Sequence, residues 1–131
     1  MTGLEFIMAA RAFPGERLPF PASPAATLEI GRRIVNRELV GVARAGDAFS
    51  PGEQVYAHSD VAGHGAGFIE HVWTHDGQEV ARHYMPVGDD RQWRTWSSHR
   101  LKVGAYTVEL YAPDGKRMAV RNFFVGSAQA R

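Results

Sequence analysis

The run Arg91-Gln92-Trp93-Arg94-Thr95-Trp96-Ser97-Ser98-His99-Arg100 constrains the fold more than any other part of the chain. It holds two of the three tryptophans and three arginines, with no glycine or proline. Successive side chains of an extended strand alternate, so Trp93, Thr95 and Ser97 share one face and Arg94, Trp96 and Ser98 the other. A large aromatic on each face needs cover on both sides. That demands a central place in a sandwich, or one core face backed by an exposed binding face.

The flanking sequence supplies strands. Leu28, Ile30 and then Ile34 to Val42 read as one or two strands with arginines on the wet face. Ser50-Pro51-Gly52 is a turn, Val55, Ala57 and Ser59 alternate with Tyr56, His58 and Asp60, and 63–67 is a glycine-rich loop. Asp76-Gly77 between two β-rich runs is a strong hairpin signal, because both central positions of a type I′ turn need positive φ. Setting His75 opposite Gln78 pairs Trp73 with Val80, His71 with Arg82 and Ile69 with Tyr84. A final hairpin turns at Pro113-Asp114-Gly115. Opposing Ala112 with Lys116 there pairs Leu110 with Met118 and Val108 with Val120.

About seven short strands, turn signals roughly every ten residues and no amphipathic helix predict an all-β, antiparallel immunoglobulin-like sandwich. A small barrel is the alternative. The domain is expected over 28–126. Residues 1–27 form an N-terminal extension with a proline-rich arm, whose first part, 2–13, reads equally as a short helix or an edge strand, and 127–131 form a frayed tail. At 131 residues and 44% hydrophobic content the chain is long enough for one two-layer core.

Composition excludes several functions. A net charge of +1 offers no field for nucleic acid. The absence of cysteine removes disulfides, thiolate metal sites and thiol nucleophiles. No apolar run is long enough to span a bilayer, and the first residues do not read as a secretory signal.

His71-Val72-Trp73, Gly77, Trp93-Arg94-Thr95-Trp96-Ser97-Ser98, Gly104-x-Tyr106-x-Val108, Asp114-Gly115 and Phe124 together resemble the signature of a bacterial family, domain of unknown function 2914. The resemblance runs from about Arg33 to Val125. It implies a small all-β accessory module outside the cytoplasm, in the periplasm or envelope, often carried beside a membrane anchor. The family usually has a lysine after the Ser-Ser pair, where this chain has His99.

No constellation carries catalysis or a metal, and none implies a cofactor. His71 and His75 have the helical zinc spacing, but on a strand they stand about 13 Å apart at roughly 3.3 Å per residue. Ser97 and His99 share a face about 7 Å apart along a strand, too far for a nucleophile and its base. Asp89-Asp90 belongs to a turn, and Gly63-x-Gly65-x-Gly67 lacks the Lys-Ser/Thr of a phosphate loop.

What is left is a mixture of arginine and aromatic residues. As a binding platform, Trp96 and Arg94 lead, with Trp93, Arg91, Arg100, Tyr84 and His99 as further candidates. As packing, Trp73 and one tryptophan of the central run fill the core while arginine stems cover the other ring. The expected function is a non-catalytic module acting by protein–protein contact within a larger envelope assembly. A carbohydrate- or small-ligand-binding module using the same face is the alternative, and an enzyme or metal protein ranks behind both.

Overall fold

The computed structural model describes residues 25–44, 47–62, 66–88 and 92–126. Arg91, the Asp89-Asp90 turn, most of the glycine loop, the arm before Ala25 and the tail lie outside them. The described chain is all β: β1 (Ala25–Gly31), β2 (Arg33–Val35), β3 (Glu38–Val40), β4 (Ala48–Phe49), β5 (Gln54–Ala62), β6 (Gly67–His75), β7 (Gln78–Val87), β8 (Trp93–Arg100), β9 (Gly104–Tyr111) and β10 (Arg117–Val125).

Two sheets face each other. One has the order β1-β5-β8, the other β4-β10-β9-β6-β7, and β2-β3 form a separate hairpin. Every pairing is antiparallel except β4 on β10. The expected sandwich is present, with ten strands rather than seven. The additional ones are the two-residue β4 and the division of 33–40 into a hairpin. The first strand also opens at Ala25, three residues before the regular apolar pattern.

The core forms where inward positions of both sheets meet. Leu28, Ile30, Val55, Ala57 and Val61 come from the first sheet, and Ile69, Trp73, Tyr106, Val108, Leu110 and Val125 from the second. Two buried aromatics anchor this core. Trp73 lies fully buried on β6. The hydroxyl of Tyr106, near the start of β9, accepts the Lys102 N–H four residues upstream at 3.0 Å.

Both hairpins depart from simple register. The Asp76-Gly77 turn has φ of 48° and 88°, as a type I′ turn requires, and His75 does face Gln78. A bulge then makes Val80 the extra residue, so Trp73 pairs with Ala81, His71 with His83 and Ile69 with Met85. The expected partners Val80, Arg82 and Tyr84 are therefore displaced by one. Arg82 and Tyr84 move to the outer face, while His71 stays inward and fully buried. In the last hairpin Ala112 N–H does bond Lys116 O at 2.8 Å. A bulge between Arg117 and Ala119 again shifts the pairing, setting Leu110 against Ala119 and Val108 against Arg121.

Candidate functional site

The arginine and aromatic candidates do not share one surface. β8 alternates as expected. Trp93 and His99 turn inward: Trp93 packs on the core and against Gly88, and His99 contacts the rings of Trp73 and Tyr106 at 5.4 and 5.8 Å. Trp96 and Arg94 turn outward, where the β2–β3 hairpin reaches them.

That hairpin is held by a tight turn at Asn36-Arg37, both at positive φ (50° and 67°). The Arg37 guanidinium lies 5.5 Å from the Trp96 ring centroid, and the His58 ring stacks on Trp96 at 6.1 Å and 4°. Arg37 donates to Arg94 O at 3.1 Å, and Arg37 O accepts from His58 Nε2 at 2.9 Å. Arg94 itself is ion-paired with Glu38. An arginine thus covers the outward tryptophan, and Trp96 is half-buried. Arg100 donates to Gly52 O at 2.7 Å and Gln54 Oε1 at 3.1 Å.

Tyr84 lies on the outer face of the five-stranded sheet, across the β7–β8 groove from Trp96, and is 63% exposed. It pairs across β6 with Glu70, which in turn faces Tyr111 on β9. Phe68, 59% exposed, is opposite Pro86 on the same face. Arg82 clamps Glu70 at 2.9 Å and Glu79 at 2.8 Å, and Arg117 holds Glu109 at 2.9 Å. Hydrogen bonding from Tyr84, then the arginine contact, holds the Glu70 carboxyl below its ordinary range, while the same carboxylate raises the Tyr84 hydroxyl. The result is a flat surface of tyrosine, phenylalanine and pinned ion pairs.

The histidine and serine of the signature lie inside. His71 is fully buried between the sheets. Its Nδ1 is 2.7 Å from Ser97 Oγ, its Nε2 is 2.9 Å from Ser59 Oγ, and Trp73 Nε1 is 2.9 Å from Ser97 Oγ. Trp73 can only donate, so the network has a direction. Indole N–H donates to Ser97, the Ser97 hydroxyl to His71 Nδ1, and His71 Nε2–H to Ser59, whose hydroxyl reaches Thr95 O at a long 3.5 Å. Burial, reinforced by His83 and His58, pushes the His71 pKa down to about 3, so the ring is neutral and locked in one tautomer. A serine and histidine in contact suggest a nucleophile and base, but here His71 is fully buried and both its ring nitrogens are held by serines, while Ser97 is buried with only its edge at the β7–β8 groove. Sequence reasoning missed this network because its members lie on three strands; the one sign of it was that His71, Trp73 and Ser97 all belong to the signature.

Among the described residues no group of three or more metal-ligating side chains converges. His75 is engaged separately, donating to Val103 O at 2.7 Å. Among the described residues, openings flank the sandwich on two sides. One of about 840 Å³ lies between β1 and β10, lined by Phe49, Tyr106 and Phe123 and bridged by Arg121–Glu29 at 3.3 Å. The other, about 570 Å³, runs between β7 and β8 past Tyr56, His83, Tyr84, Met85, Trp96 and Ser98.

These features define a small β-sandwich domain with His71, Trp73, Ser97 and Tyr106 in its interior. Residues 68–125, which span β6 to β10, match the model of the family described as protein of unknown function (DUF2914). Trp73, Trp93, Ser97, Gly104 and Tyr106 all fall in that span. No curated protein matches the chain.

Proposed function

We propose that this chain is a non-catalytic accessory module that works by protein–protein contact, within a bacterial envelope protein or complex. The observation that carries the reading is how the side chains divide. The groups able to do chemistry, His71, Ser97 and Ser59, are consumed inside the sandwich, while large aromatics stand open on a sheet face. Phe68 and Tyr84, both more than half exposed, with the half-buried Tyr111, form the central contact surface, and the Arg82 and Arg117 ion pairs frame it. Trp96 and Arg94 contribute from the rim, because their own hairpin roofs them. The envelope location follows from the family resemblance.

A second reading, a sugar- or small-ligand-binding module, has one observation in its favour. Tyr56, Tyr84 and Trp96 line the groove between β7 and β8, where rings can stack. A photo-crosslinking residue placed at Phe68, with Thr27 on the other sheet as control, separates the two in the host envelope. Discrete protein adducts from position 68 alone are expected. Equal adducts from both positions, or none from either, would sink the protein-contact reading.

A further inference from the structure

The two sheets are unequal, and the mismatch leaves a strand-shaped gap. Three strands cover five, so β7 extends past β8 and its inward residues Ala81, His83 and Met85 are only partly covered. Among the described residues no strand pairs with the outer edge of β8. Along that edge eight residues run in unbroken register with β5, without proline, glycine or bulge; its protection is limited to the charge of Arg94 and Arg100 and to Arg37 on Arg94 O. By contrast β7, the neighbouring edge, carries the Val80 bulge and Pro86.

The backbone direction along β8 follows from its end. Leu101 N–H bonds Glu53 O at 2.9 Å, and Leu101 O accepts from Gly52 at 2.8 Å. Antiparallel ladders alternate, so His99, Ser97 and Thr95 bond β5, while Arg100, Ser98, Trp96 and Arg94 direct N–H and C=O away from it. Arg94 O is indeed met from outside, by Arg37. The main-chain groups of Trp96 and Ser98 open onto the groove. On its far wall, His83 Nε2 is shielded from solvent and has no hydrogen-bond partner among the described residues.

We infer that this gap accepts an extended segment of a partner protein, which adds to β8 as a fourth strand. The inference rests on the protein-contact reading for the kind of occupant, but it places the contact at the sheet edge rather than on the broad face. An added strand pairs with Trp96 and Ser98, lays alternate side chains over Ala81 and Met85, and brings a polar group to His83 Nε2. Charge selects the segment. β8 contains two arginines and no acid, and Arg100 touches only neutral acceptors among the described residues. The fitting sequence alternates small apolar residues with hydroxyl and acidic ones, an acid falling opposite Arg100. A second copy's β8 would bring further arginines against these, so self-pairing is disfavoured.

The test is a displayed library of random 12-residue peptides selected against the full chain, followed by binding of the enriched peptides to variants. Ser98→Pro removes an outward donor and leaves the β5 ladder intact. Ser98→Ala controls for the side-chain bond from Gln54 Nε2 at 3.1 Å. Enriched alternating peptides should protect the Trp96 and Ser98 amides from exchange. They should lose affinity about tenfold or more with Ser98→Pro and keep it with Ser98→Ala and with Phe68→Ala. If Ser98→Pro does not fold, N-methylation of alternate peptide residues must produce the same loss. No enrichment, equal binding to wild type and Ser98→Pro, or protection of these amides only in a dimer of the chain would overturn the inference. Peptides lost with Phe68→Ala but not with Ser98→Pro would overturn the edge while leaving the broad-face reading standing.

Discussion

His71 Nδ1 and Ser97 Oγ meet at 2.7 Å across the centre of the sandwich, joining β6 of one sheet to β8 of the other. Ser97 also accepts the Trp73 indole N–H, so one hydroxyl satisfies two buried partners. Ser97→Ala strands both. We expect a loss of roughly 2–6 kcal/mol, one desolvation penalty of about 1–3 kcal/mol for each orphaned group. Ser98→Ala, one residue along and on the outer face, should cost under about 1 kcal/mol. Urea unfolding of the two variants checks the contrast.

Stability should fall on acidification from neutral pH. The folded pKa of His71 is depressed to about 3 from an ordinary value of 6.5. The unfolded chain therefore takes up a proton first, and binds more protons than the native state across that interval. The contribution is fully present above about 6.5 and is lost progressively toward 3, with a limiting slope of about 1.4 kcal/mol per pH unit. His99, depressed chiefly by burial, acts in the same direction. Denaturation midpoints at pH 7, 5.5 and 4.5 measure the slope. His71→Gln should flatten most of it, whatever its cost at pH 7.

Trp73 and Trp96 should respond very differently to truncation. Trp73 is completely buried, and Trp73→Ala is expected to cost on the order of 3–5 kcal/mol, enough to threaten folding. Trp96 is held by Arg37 and His58 on a half-open surface. Its loss should cost well under that, with a cation–π share of about 1 kcal/mol. Equal and severe losses would make Trp96 a packing residue and nothing more.

Gly104 cannot be exchanged for alanine without strain. Its φ is +136°, and a Cβ there would stand 2.6 Å from His75 Nε2 and Asp76 Oδ2. Asp76 Oδ1 meanwhile accepts the Ala105 N–H at 2.9 Å, tying the β6–β7 turn to the start of β9. Gly104→Ala should destabilise by about 1–3 kcal/mol. Gly115→Ala, with φ of +87° but open space around it, should cost less, and thermal unfolding of both variants tests the order.

The sandwich was legible in the chain because its causes are local. Period-two alternation, Asp-Gly and Pro-Asp-Gly turns and the absence of helical periodicity follow from short-range sterics and from which side chains avoid water. The alternation of β8 was equally readable, so Trp93 and Trp96 were correctly set on opposite faces. The tertiary structure decided matters that depend on partners far apart in sequence. Bulges at Val80 and Met118 reset two hairpin registers, so that Trp73 meets Ala81 and Leu110 meets Ala119. Arg37 lies 59 residues before Trp96, and only the folded β2–β3 hairpin brings the guanidinium over the ring. The His71 network joins three strands through hydrogen bonds that no spacing encodes. Local chemistry set what each segment became; long-range packing set which faces were left open for use.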